Sequence, residues 1–84
     1  MAQHDLHAIV VDTVAAVLGI ECRSVGDSLA SLPTFDSFRM IEIAERLEQR
    51  LGVELDAADL TPGNLGHVSR LARLFEQAAA PTKQ

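Results

Sequence analysis

Apolar residues recur every three or four positions in three separate stretches of this sequence, and no stretch alternates apolar and polar residues with a period of two. A spacing of three and four lays side chains along one stripe of a helix, whereas a half-buried strand needs alternation. The chain is therefore expected to be all-α. The first stretch, about Gln3 to Leu18, carries Leu6, Val10, Val14, Val17 and Leu18, and Gly19 follows where a left-handed cap residue commonly ends a helix. The second, about Ser37 to Leu51, carries Met40, Ile43, Ala44, Leu47 and Leu51 and is closed by Gly52. The third, about His67 to Ala79, carries Val68, Leu71, Ala72 and Phe75. Ahead of it, Thr61 offers a capping hydroxyl before Pro62, a residue suited to a first helical position. The breakers in Pro62-Gly63-Asn64 limit that fourth helix to a short turn.

The stretch from Gly19 to Phe35 holds Gly26 and Pro33 and no sustained period. It reads as a long connection with at most one helical turn near Asp27 to Leu32, pinned to the core by Leu29 and Leu32. Together these elements predict a small four-helix bundle with three longer helices and one short one. Eighty-four residues leave room for a single core, so residues 1–80 are read as one domain and 81–84 as a C-terminal tail. With 48% hydrophobic and 23% charged residues the chain falls among folded globular sequences. Its three phenylalanines are the only aromatic residues, so the core must be mainly aliphatic.

Charge and composition exclude several function classes. A formal net charge of −5 opposes the phosphate contacts that dominate nucleic-acid binding, so no nucleic-acid partner is expected. The longest apolar run, Val14 to Leu18, is far below the roughly 20 residues of a membrane helix. No basic region followed by an apolar stretch opens the chain, and the lone Cys22 cannot form an internal disulfide. A cytoplasmic, monomeric protein is the expectation. His4 and His7 are three apart but lack a third metal ligand in view, so no metal site is expected. Cys22 beside Arg23 would need a positioned histidine to act as a nucleophile, and His67 is far along the chain. Neither a Gly-rich phosphate loop nor a Gly-x-Ser-x-Gly elbow occurs. No set of catalytic residues is legible, and the chain is not read as an enzyme.

The specific signal gathers at Phe35-Asp36-Ser37-Phe38. At about 100° per residue, Phe38 lies about 165° and Ile41 about 105° from the direction of the second helix's core residues. Both should point away from the bundle, among Glu42, Glu45 and Gln49. An exposed apolar patch rimmed by charge marks a protein partner. The simpler reading of Asp36-Ser37 is a helix cap, in which Asp36 satisfies orphan amide donors. Capping and function can coexist, because a serine in the first turn projects its hydroxyl beyond the bundle.

Asp27-Ser28-Leu29, the run Leu32-Pro33-Thr34-Phe35-Asp36-Ser37-Phe38, Ile41-Glu42 through Leu47-Glu48, Leu51-Gly52-Val53-Glu54-Leu55 and the final helix Val68 to Leu74 together resemble the phosphopantetheine-binding acyl and peptidyl carrier proteins over nearly the whole sequence. The resemblance implies a carrier-type bundle with 4′-phosphopantetheine attached covalently to Ser37 by a phosphopantetheinyl transferase, from coenzyme A. It further implies a non-catalytic shuttle whose arm carries acyl or aminoacyl thioesters from a loading enzyme to a downstream synthase or transferase. Fatty-acid, polyketide and nonribosomal-peptide pathways all use such carriers. Asp36, Phe38, Arg39, Ile41, Glu42 and Glu45 are the expected partner interface.

Two positions depart from the family's habit. Thr34 stands where a glycine is common, and Arg39 where an acid is frequent. Arg39, Arg46 and Arg50 should form a basic ridge beside the acidic one, which points to specialised metabolism. From Asp36 to Asp59 seven acids outnumber three bases, a local balance of −4, so steering toward basic partner surfaces is expected. The alternative from another class is an unmodified helical interaction module that dimerises through Phe38 and Ile41.

Overall fold

In a computed structural model that describes residues 5–79, four helices pack around one aliphatic core: α1 Asp5–Leu18, α2 Ser37–Leu51, α3 Pro62–Leu65 and α4 Val68–Ala79. The expected C-terminal tail, residues 81–84, lies outside the described residues, as does His4. α1 packs against α2 and α4, and the short α3 bridges α2 and α4.

The stripes read from the sequence are the ones that turn inward. Val10, Val14, Val17 and Leu18 of α1 meet Met40, Ile43, Ala44 and Leu47 of α2 and Val68, Leu71 and Phe75 of α4, all buried. Leu6, Leu51 and Ala72 are half-buried at the margins of the same core. Of the three aromatic rings, only Phe75 is fully enclosed. Thr13 is the one buried polar residue among the described core positions, and its hydroxyl accepts a 2.8 Å hydrogen bond from Arg50 Nη1. A polar group satisfied in this way can be buried at little cost.

The exits of α1 and α2 each use a glycine in the left-handed region, where a side chain would be strained. Gly19 sits at φ 70° after α1, and Gly52 at φ 68° after α2, with its amide donating to the Glu48 carbonyl at 2.9 Å. The Glu48 side chain then accepts from the Leu55 amide at 2.8 Å, fixing the turn that buries Leu55. Thr61 caps α3 by accepting from the Asn64 amide, with Pro62 opening the helix as expected.

The connection between α1 and α2 differs in detail from its sequence reading. Its helical turn is a 3-10 turn at Cys22–Ser24, whereas residues 27–34 form successive bends and turns. Those residues spend their backbone groups on another partner: Val68 N donates to the Asp27 carbonyl at 2.9 Å and Leu29 N to the Gly66 carbonyl at 2.8 Å. An antiparallel bridge of Ser28 with His67 results, and it takes up backbone groups that a local turn of helix would need. Leu29 is fully buried and Leu32 half-buried, so the pinning residues act as expected. A second 3-10 turn, Ala57–Asp59, carries no periodic apolar signal and is absent from the sequence reading.

Candidate functional site

α2 begins where Asp36 leaves the extended region, at φ −145° and ψ −179°, and its carboxylate accepts from the Arg39 amide at 2.8 Å. One of the orphan donors of the first turn is thereby satisfied. Ser37 is the first helical residue and is exposed, and among the described residues nothing hydrogen-bonds its hydroxyl. Just ahead of this helix in the chain, Leu32 and Phe35 are half-buried against the core, and the Phe35 amide donates to the Leu32 carbonyl at 3.2 Å. The turn so formed delivers the chain to Asp36.

Phe38 is 74% exposed and Ile41 38%, the two large hydrophobic residues that the fold leaves outside among those described. Helical phasing in the sequence predicts both. Glu45 is exposed beside them. Asp36, Ser37, Phe38, Ile41 and Glu45 therefore share the outer surface at the head of α2, with Glu42 set partly inward.

The three arginines do not form the expected basic ridge. Arg39 Nη1 donates to the Val17 carbonyl at 3.0 Å, satisfying one of the orphan acceptors at the end of α1, and lies 3.9 Å from Glu42 Oε1. Arg46 Nη2 reaches Glu42 Oε2 at 3.3 Å. Arg50 turns to α1, meeting Asp12 at 3.0 Å and Thr13 at 2.8 Å. Helical period places these residues on neighbouring directions, but each long side chain finds an acceptor within the fold.

Thr34 needs no glycine's freedom here, since no residue other than glycine has a positive φ among the described residues. Its hydroxyl donates to the Leu18 carbonyl at 3.4 Å, tying the loop to the end of α1.

One role is invisible in the sequence. The Asp27 carboxylate accepts from the Ser69 amide at 2.8 Å and so caps α4 from 42 residues away. That amide, then the Ser69 hydroxyl, hold the Asp27 carboxyl below its usual value of 3.8, with His67 and His7 adding a weaker pull. An aspartate that caps a distant helix gives no local spacing to find.

The other candidate centres stay dispersed. Cys22 is exposed and its thiol donates to Asp12 at 3.9 Å, while Arg23 pairs with Glu21. His7 is exposed, and among the described residues no group of three or more His, Cys, Asp or Glu side chains is placed to hold a metal ion. No described helix is long and apolar enough to cross a membrane.

Comparison with protein-family models matches residues 8–75 to the family described as the phosphopantetheine attachment site. Neither the curated proteins nor the solved structures yield a match. The family match covers most of the chain, which belongs to that family and is a phosphopantetheine-carrying carrier protein. Members bear 4′-phosphopantetheine covalently on a serine, work with a phosphopantetheinyl transferase and partner enzymes, and are generally shuttles rather than catalysts.

Proposed function

We propose that, in this member of the phosphopantetheine attachment site family, Ser37 is the serine that carries the arm. The chain then shuttles acyl or aminoacyl groups between enzymes of a fatty-acid, polyketide or nonribosomal-peptide type pathway in specialised metabolism, as a cytoplasmic monomer. The observation that carries this reading is the exposed Ser37 in the first turn of α2, its hydroxyl unengaged among the described residues and its neighbour Phe38 turned outward.

The residues at this end of α2 fit the group. The arm is joined through a phosphodiester, an anion that suits the amide donors and positive dipole end of a helix amino terminus. Asp36 holds the first turn by its bond to the Arg39 amide, so Ser37 is presented from a fixed backbone. An enzyme can reach the hydroxyl without opening the bundle. When bound, the arm supplies a terminal thiol that holds the cargo as a thioester. Asp36, Phe38, Arg39, Ile41, Glu42 and Glu45 then form the surface offered to the transferase, the loading enzyme and the downstream synthase or transferase.

Incubating the protein with coenzyme A and a broad-specificity phosphopantetheinyl transferase tests this directly. Intact mass should rise by one phosphopantetheinyl group, and peptide mapping should place it on Ser37. An unchanged mass under several transferases, or an increment on another residue, would overturn the proposal.

A further inference from the structure

Ser37 is bracketed in the chain by two side chains that reach the same place. Thr34, three residues before it, donates its hydroxyl to the Leu18 carbonyl at 3.4 Å, and Arg39, two residues after it, donates Nη1 to the Val17 carbonyl at 3.0 Å. These are consecutive carbonyls in the last turn of α1, where intrahelical donors run out. The Ala15 carbonyl of the same turn takes the Ile20 amide at 3.1 Å as the chain leaves through Gly19. The backbone satisfies that acceptor itself, whereas the Val17 and Leu18 carbonyls receive side chains from the segment that holds the serine. Both acceptors are anchored, because the Val17 and Leu18 side chains are buried in the core. Arg39 is held at both ends, since its amide also donates to the Asp36 carboxylate at 2.8 Å. Neither contact is open to the residue types common at these two positions in the family: a glycine has no hydroxyl, and an ionised acid has no proton to donate.

We propose that Arg39 and Thr34 are positioning residues for the modification of Ser37: they fasten the first turn of α2 and the loop before it to the end of α1, and so hold the serine hydroxyl where a transferase meets it. The guanidinium bond is the stronger of the two, being charge-assisted and of ordinary length, while a hydroxyl bond at 3.4 Å lies beyond the usual O–H···O range. A cation at the negative end of α1 gains from the helix dipole as well. The Asp36 cap fixes only the local turn, because its bond runs within the head of α2. The contacts to α1 fix that turn against the core. A reacting hydroxyl needs this second constraint, since a displacement of about 1 Å can lose up to about 10²-fold in rate.

This inference rests on the assignment of Ser37 above, and the experiment separates the two. The parent chain, Arg39→Met, Thr34→Val and Thr34→Ser are each modified by a broad-specificity phosphopantetheinyl transferase at saturating coenzyme A, with the carrier concentration varied and intact mass as the readout. Methionine and valine keep much of the original stem and shape but cannot donate. Arg39→Met should lower kcat about tenfold with KM within about threefold of the parent, and Thr34→Val should lower kcat about threefold, as expected for a misplaced reacting group rather than a lost docking contact. Thr34→Ser keeps the hydroxyl and should retain the parent's kcat. Melting temperatures are measured beside the kinetics. Melting that falls while kcat and KM stay unchanged makes the contacts merely structural and overturns the inference, with the Ser37 assignment left standing. A KM that rises at unchanged kcat assigns Arg39 to docking and overturns it too. If Arg39→Met does not fold, Thr34→Val and Thr34→Ser decide alone, and equal kcat values in those two overturn the inference. No mass increment on the parent chain overturns the inference and the Ser37 assignment together.

Discussion

The sequence contains the same motif twice, an aspartate and a serine followed by a large apolar residue, and the two copies do opposite things. In Asp36-Ser37-Phe38 the aspartate caps its own helix three residues on, the serine is exposed and the apolar side chain faces solvent. In Asp27-Ser28-Leu29 the aspartate caps a helix 42 residues away, the serine sits in a bridge to His67, and the apolar side chain is fully buried. The dipeptide itself therefore carries no function. The downstream chain decides: a long amphipathic helix whose core stripe excludes Phe38, or a loop that must close on α4.

The largest contrast is chemical. Ser37→Ala should abolish the mass increment given by coenzyme A and a transferase while leaving thermal melting unchanged. Ser28→Ala should keep the full increment. Modification of the Ser37→Ala protein at Ser28 would erase the proposed division between the two copies.

The apolar residues give the next contrast. Leu29→Ala empties a fully buried site and should cost about 2–5 kcal/mol, lowering Tm by about ten degrees or more at roughly 4–8 °C per kcal/mol. Phe38→Ala removes an exposed ring and should cost less than about 1 kcal/mol. Urea titrations of the two variants would settle the ranking, and a Phe38→Ala protein as unstable as Leu29→Ala would show that Phe38 packs inward in solution. The caps come third. Asp36→Ala should cost about 1 kcal/mol through loss of one amide's partner, and should also slow modification because the first turn then frays around Ser37. A normal modification rate in that variant would show that presentation of Ser37 does not need the cap.

The contrast also marks how far the sequence can be read. All four helices, the two glycine exits and the outward aim of Phe38 and Ile41 come from spacing and caps, since these are properties of residues within one turn of each other. The direction of Phe38 is legible because the rest of α2 fixes the phase. The bridge of Ser28 to His67 and the capping of α4 by Asp27 are not, because they join segments about 40 residues apart and depend on how the loop closes. The arginines defeat the sequence reading for a related reason. Period gives the direction of a Cβ, whereas Arg39 and Arg50 have stems long enough to reach acceptors on α1. Cys22–Ser24 and Ala57–Asp59 are too short to leave a period at all.

The smallest expected effect is also the most selective one, because it depends on pH. The Asp27 carboxyl is held below 3.8 mainly by the Ser69 amide, then by the Ser69 hydroxyl, with His67 and His7 contributing positive charge nearby. A group whose native value is depressed binds its proton more weakly folded than unfolded. Its contribution to stability is therefore fully present above the unfolded value and is lost as pH falls through the lower native one. Asp27→Ala removes the carboxylate but keeps the backbone bond from Val68 N to the residue 27 carbonyl, so the bridge survives and only the cap is lost. The variant should melt slightly below the parent at pH 7. That gap should hold down to about pH 4 and then close as the parent's carboxylate is protonated. Subtracting the two melting curves at each pH cancels the carboxylates they share. A gap that stayed constant down to about pH 2.5 would mean that the ionised Asp27 does not cap α4 in solution, and the two Asp-Ser pairs would then differ only in where their apolar neighbours go.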